Sequence, residues 1–240
     1  RDYYASRGLG DVYKRQIHTP LKKLKLMTYT AFKNGWITSD PFAGFHINVT
    51  YRDRRFLSES ELQAVMRVYV PNYKTAIVRD IFVFCCFTGL AYADVKKLTH
   101  NDIHTDEQGD LWIVDHRQKT GTQFRVKLLP VAKRLVEKYR HLHLPGGCVF
   151  PVKNRKSMNM SLRHVARHAG LSFNPTMHEA RHTFSTTVTL SQGVPLETVS
   201  KMLGHKHITT TQIYAKITND KIGHDMDALS QKIAEKFPIA

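Results

Sequence analysis

Five residues, "HEARH" from His178 to His182, fit two unrelated chemistries. Read as His-Glu-x-x-His on a helix, they place two imidazoles one turn apart for a zinc ion, with Glu179 as the base of a metal hydrolase. Read as His-x-x-Arg, they place the imidazole of His178 one turn from the guanidinium of Arg181, a pair able to grip a phosphate. The zinc reading finds little support elsewhere. The extended metzincin pattern needs glycine at 185 and histidine at 188, where the chain has Ser185 and Val188. Glu197 or His205 would have to supply a third ligand, and Arg181 would hold a permanent cation inside the metal helix.

The phosphate reading gains from "MLGHKHITTTQIYAKI", which sets His205 shortly before Tyr214 on a short helical stretch. A tyrosine hydroxyl titrates near pH ~10, so at neutral pH about one in a thousand is phenolate, and a tyrosine nucleophile needs help. Attack on a DNA phosphate builds negative charge on the non-bridging oxygens. Fixed guanidinium and imidazole donors stabilise that charge with no metal and no cofactor. Arg181 and His205 suit the task. His178 can hydrogen-bond the phosphate or accept the tyrosine proton, and a lysine can protonate the departing 5′ oxygen. Each residue also has a structural reading: Tyr214 as a packing tyrosine, His178 and Arg181 as capping and pairing groups, His205 as a turn residue after Gly204. Glu179 and Asp94 read as groups that orient their neighbours, and His182 as a structural hydrogen-bonding histidine.

Taken together, "HEARHTFST", "LGHKHITTTQIY" and "TGLAYADVKKLT" resemble the catalytic domain of the tyrosine recombinases, the phage-integrase family, and most of all the integrases of conjugative transposons. The resemblance covers about Arg55 to Phe237, plus the end of a helical core-binding domain at Leu21 to Phe45. It implies that Tyr214 is the nucleophile, that Lys119 is the general acid, and that the product is a 3′-phosphotyrosyl link. Such a link conserves the bond energy, so a second strand's 5′ hydroxyl can reverse it. It further implies a site-specific recombinase that integrates or excises a mobile element, working on double-stranded DNA as a homotetramer on two sites, with DNA-bending accessory proteins as further partners. The nearest enzymatic alternative is a type IB topoisomerase, which relaxes DNA as a monomer; from another class, a decayed DNA-binding regulator would form no adduct.

The chain departs from the family pattern at Ala91, where the residue after Thr-Gly-Leu is expected to be arginine. Losing one of two guanidinium clamps costs about 3 kcal/mol if nothing replaces it, by analogy with deleting one oxyanion donor. Two explanations stand: a catalytically dead relic, or a substitute arginine. Arg117 is the candidate, since it lies two residues before Lys119 and both side chains should leave a strand on the same face. Its structural alternative is a surface arginine that contacts DNA phosphate.

Whatever the chemistry, a scaffold must hold these residues. The chain has 240 residues, 42% of them hydrophobic, enough for a real core. Its 36 lysines and arginines against 20 acidic residues give a formal charge of +16, which favours a polyanion over a peptide as partner. Basic runs in "YRDRR", "VKNRK" and "LRHVARH" are placed to track phosphates. Of three cysteines, Cys85 and Cys86 lie in the apolar run "IFVFCCF", which reads as core packing in a reducing cytosol. That run is far shorter than the roughly 20 residues of a membrane span, and no apolar targeting segment opens the chain, so the expectation is a soluble cytoplasmic protein.

The expected fold is mainly α with a small antiparallel β-sheet. Residues 1–16 show no apolar period and read as a non-native or disordered segment, either an assembly scar or a natural flexible arm. Residues 17–45 read as the C-terminal part of the helical core-binding domain, with Leu21, Leu24, Met27 or Thr28, Ala31 and Phe32 on a stripe that one helix cannot bury alone. Residues 46–54 read as a linker, and 55–240 as the catalytic domain, opened by a capping box at "SESE". Helices are expected from Tyr73 to Thr88, Tyr92 to Leu98, Val131 to Tyr139, Met158 to Ala169, His178 to Leu190, Leu196 to Leu203 and Asp220 to Phe237. A hairpin is expected in "LWIVDHRQKTGTQFRVKLLP", turning at Lys119 to Thr122. The last helix puts Ile222, Met226, Leu229 and Ile233 on one stripe, and the resemblance implies that it is exchanged between protomers.

Overall fold

The computed structural model describes residues 9–45 and 55–214, together with Gly223, Met226, Asp227, Leu229, Ser230 and Ile233. The chain divides into two units, Arg1–Asp53 and Arg54–Ala240.

In the first unit a single helix, α1, spans Leu9–Lys33 and passes through Pro20. It therefore begins well before Leu21, where the apolar stripe starts, and takes in half of the segment that showed no apolar period. It ends at Gly35 (φ 70°), with the Trp36 amide bonded back to the Ala31 carbonyl. Lys25 Nζ donates to the Phe45 carbonyl at 2.6 Å, tying the following turn to the helix. On the expected stripe, Leu24, Met27 and Phe32 are exposed.

The second unit is built around one buried helix. Its first helix, α2 (Glu59–Arg67), opens on the expected capping box: Ser58 Oγ accepts from the Glu61 amide at 3.2 Å, and the Glu61 carboxylate accepts from the Ser58 amide at 2.9 Å. Helix α3 (Tyr73–Thr88) is capped by Asn72 and closed by Gly89 in the left-handed conformation. It carries Ile81, Phe82, Phe84, Cys85 and Cys86, all fully buried. Each large apolar side chain so buried contributes about 1.5–3 kcal/mol. Burial also pushes the Cys85 thiol well up from its ordinary range, an inert packing cysteine.

Around α3 pack α2, α5 (Pro130–Tyr139), α6 (Arg155–His168) and α7 (Met177–Thr183). The short α4 (Tyr92–Lys97) follows Gly89. Between α4 and α5 lies an antiparallel sheet of order β1-β2-β3, with β1 Ile103–Thr105, β2 Leu111–His116 and β3 Gln123–Lys127. Ile113 pairs with Val126, and with Phe124 they turn one face to the core. The hairpin was expected; β1 was not, since three residues are too few to show alternation. The chain beyond α7 also differs from expectation. Instead of one α-helix to Leu190, Phe184–Thr189 winds as a π-helix and Leu190–Gln192 as a 3₁₀ turn. Thr189 Oγ1 donates to both the Phe184 and Ser185 carbonyls, an alternative to regular winding that threonine supplies. Helices α8 (Leu196–Met202) and α9 (Thr209–Gln212) follow.

A cluster of donors around the buried Asp80 carboxylate fastens α5 to α3. Asp80 accepts from Arg79 at 2.9 Å, Lys138 at 2.6 Å and Tyr139 Oη at 2.8 Å. Burial alone would raise its carboxyl, but these donors together hold it below the ordinary value. The expected final helix falls largely outside the described residues; Met226, Leu229 and Ile233, which are described, are helical and exposed. Among the described residues no helix is long and apolar enough to cross a membrane.

Candidate active site

The "HEARH" helix is fixed first at its N-terminus. Thr176 Oγ1 accepts from the His178 amide, while the Glu179 carboxylate accepts from both the amide and the hydroxyl of Thr176. Glu179 is thus engaged as half of a capping box. His178 is exposed and packs edge-on against His182, ring centroids 4.2 Å apart. Among the described residues no group of three or more His, Cys, Asp or Glu side chains is placed to hold a metal ion.

Arg181 leaves the same helix into the interior and is only 5% exposed. Its Nη1 donates to the Gly89 carbonyl at 2.7 Å and its Nη2 to the Leu203 carbonyl at 2.6 Å. Those two carbonyls end α3 and follow α8, so one guanidinium ties together three elements. Nη2 also lies 3.1 Å from His205 Nε2, and His205 Nδ1 lies 2.7 Å from Thr211 Oγ1 on α9. The histidine is therefore oriented on both sides.

The second guanidinium in this place is that of Arg117. It donates through Nη1 to the same Leu203 carbonyl at 3.2 Å. On its other side Nε faces Asp94 Oδ2 at 3.0 Å, and Asp94 Oδ1 accepts from the Gln118 amide at 3.0 Å. Asp94, on α4 and almost fully buried, thereby anchors the hairpin turn beside Arg181. Burial lowers Arg117 from the ordinary arginine range, against the opposing pull of Asp94 and of Tyr214. Burial and the neighbouring Arg117 charge together push Arg181 down to about 9, a guanidinium still charged at neutral pH. A buried and a half-buried cation that repel each other and share one carbonyl form a site ready for an anion.

Two glycines permit this approach. A Cβ on Gly204 would lie 2.8 Å from Arg117 Cγ, and its φ is +61°. A Cβ on Gly89 would lie 2.5 Å from the Phe184 ring, at φ +70°. The glycines of "TGL" and "LGH" are thus required by space as well as by backbone conformation.

Tyr214 follows α9 and is 6% exposed, packed with Phe184, Val199 and Leu203. Its hydroxyl lies 3.0 Å from Nδ1 of His182. Among the residues expected from sequence, Arg181, His205, Arg117 and Tyr214 are brought to one place, with His178 at its rim. Lys119 is not drawn into this cluster: it stands exposed on the turn. The premise that Arg117 and Lys119 share a strand face is corrected here, because β2 ends at His116. In the turn the Gly121 amide bonds back to the Arg117 carbonyl at 2.8 Å, so the two side chains part, one inward and one to solvent. His182 is the residue whose contact the sequence did not reveal. Read there as a structural hydrogen-bonding histidine, it takes the candidate nucleophile as its partner.

Comparison with known proteins agrees with this architecture. Tyrosine recombinase XerA of Saccharolobus solfataricus is 25% identical over 190 residues, covering 79% of this chain and 62% of that protein. Tyrosine recombinase XerC of Staphylococcus saprophyticus is 24% identical over 237 residues, 91% of this chain and 78% of that protein. The chain spans less than two thirds of several such curated relatives, including XerA and, at 25%, XerC of Anoxybacillus flavithermus. Among solved structures, a lambda integrase dimer bound to a COC′ core site superposes with a TM-score of 0.68 at 16% identity, covering 91% of this chain and 79% of that one. The integrase of the transposon Tn1549 in complex with transposon right end DNA gives a TM-score of 0.68 at 16% identity, covering 90% and 79%. These likenesses show the fold of a tyrosine-recombinase catalytic domain. Residues 55–221, more than half of the sequence, match the Phage integrase family, and the chain belongs to that family.

Proposed function

We propose that this protein is a site-specific DNA recombinase that cuts and rejoins duplex DNA through a 3′-phosphotyrosyl intermediate, integrating or excising a mobile element. The observation that carries this reading is the meeting of Arg117 and Arg181 at the Leu203 carbonyl, with His205 bonded to the second and Tyr214 near both. A phosphodiester seated there meets two fixed guanidiniums where its transition-state charge develops. Arg117 takes the place of the arginine missing at Ala91. Ala91 itself is the N-cap of α4 and makes no side-chain capping bond.

In the reaction Tyr214 Oη attacks phosphorus, Arg117, Arg181 and His205 stabilise the charge on the non-bridging oxygens, and His178 at the rim contacts the phosphate. Lys119, exposed on the hairpin turn, closes on bound DNA to protonate the departing 5′ oxygen. The partner is double-stranded DNA, with a homotetramer on two sites as the working assembly and DNA-bending proteins as accessories. The lambda and Tn1549 integrases that share this fold were solved bound to DNA, the first as a dimer.

The test is adduct formation on supercoiled plasmid in EDTA. SDS-resistant protein–DNA adducts from the parental chain, absent from Tyr214→Phe, are expected. Salt-sensitive DNA binding with no adduct from the parental chain would instead mark a DNA-binding relic.

A further inference from the structure

The helix that presents Arg181 inward presents the next residue, His182, to the candidate nucleophile. Successive residues leave a helix about 100° apart, so one short helix serves phosphate and tyrosine at once. His182 is 2% exposed, and its Nδ1 lies 3.0 Å from Tyr214 Oη. The ring centroids are 5.2 Å apart, tilted by 49°. Both rings are buried in a part of the unit also lined by Phe184, so the contact is not a chance meeting of mobile surface groups. His178, the proton acceptor suggested by sequence, is exposed and packs on the far ring of this pair.

We propose that His182 is a catalytic residue of this site, holding the Tyr214 hydroxyl in place and accepting its proton through Nδ1 as the oxygen attacks phosphorus. This rests on the reading of Tyr214 as nucleophile. The new bond joins Tyr214 Oη to phosphorus. The bond from phosphorus to the 5′ oxygen breaks, its electron pair going to that oxygen, which takes a proton from Lys119. The phenolic proton moves to His182 Nδ1 and returns to Tyr214 when a 5′ hydroxyl reverses the step. The resting state is then neutral His182 carrying its proton on Nε2.

The charged and titratable groups of the site come from three elements. Arg181 and His178 share the helix of His182, Arg117 reaches in from the hairpin turn, and Asp94 faces Arg117 from α4.

The test compares adduct rates on supercoiled plasmid between pH 6 and 9 for the parental chain, His182→Ala, His182→Asn and His178→Ala, with DNA binding and thermal melting measured alongside. Asn keeps an acceptor near the Nδ1 position but cannot hold a proton, so it preserves the packing if alanine unfolds the site. Each is repeated with 3,5-difluorotyrosine, a more acidic phenol of nearly equal size, at position 214. Both His182 variants are expected to slow adducts about 100-fold near neutral pH, with an optimum moved to higher pH. Difluorotyrosine should restore most of the rate, and His178→Ala should lose less. Parental rates in both His182 variants, or a loss equal at every pH and not recovered by the acidic phenol, would overturn the role of His182 alone. No adduct from the parental chain would overturn the nucleophile reading beneath it.

Discussion

At the scale of single residues, the Leu203 carbonyl is where two guanidiniums meet. It accepts from Arg117 at 3.2 Å and Arg181 at 2.6 Å, so guanidiniums from elements far apart in sequence converge on one oxygen. If both grip the transition-state phosphate, Arg117→Ala should lower the adduct rate roughly 10²- to 10³-fold while plasmid affinity changes far less. Quantified adducts beside a filter-binding curve check this, and an adduct rate equal to the parental one would remove Arg117 from the mechanism. Much of this cluster was legible in the sequence. Arg181, His205 and Tyr214 stood in motifs whose chemistry names them, and Arg117 was found from a gap at Ala91 and its nearness to Lys119. Arg117 and Lys119 nevertheless share no strand face, because β2 ends one residue before Arg117. His182 was legible as a hydrogen-bonding histidine, but its partner was not. Its partner Tyr214 is remote in sequence, and nothing in local periodicity tells which of two histidines on one helix a remote hydroxyl will meet.

At the scale of elements, caps and periods served well. The Ser58–Glu61 box, Asn72 and Gly89 mark helix ends by mechanisms that act within four residues. What sequence missed were features set by tertiary packing: the three-residue β1, the π-helical turn after Thr183, and the long α1 beginning at Leu9. The Asp80 cluster is also of this kind, joining α3 to α5. Its folded carboxyl titrates below its ordinary value of 3.8. Its contribution is therefore fully present above about pH 4, the unfolded value, and is lost as pH falls through the folded one. Asp80→Asn should destabilise the protein by about 2 kcal/mol at neutral pH, the worth of a hydrogen bond to a charged group. That difference should shrink below about pH 4. Urea unfolding at pH 7 and pH 3 measures both; equal stability of the two proteins at pH 7 would show that the cluster contributes nothing.

At the scale of the whole molecule, charge speaks before any site does. A formal charge of +16 on 240 residues requires a polyanion or a heavily solvated surface. If duplex DNA is the partner, log affinity should fall linearly with log salt, with a slope of about −0.9 for each phosphate neutralised. Fluorescence anisotropy on a labelled duplex from low to moderate salt reads that slope, and a flat line would argue against DNA. The central claim is chemical, and one measurement reaches it directly. Adducts formed on plasmid in EDTA would be digested with protease and nuclease, and the peptide that carries nucleotide identified by mass spectrometry. A nucleotide joined through its 3′ phosphate to Tyr214, with a 5′ hydroxyl left on the other DNA end, is the predicted result. A nucleotide on any other side chain, or a 5′-phosphate link to Tyr214, would contradict the account.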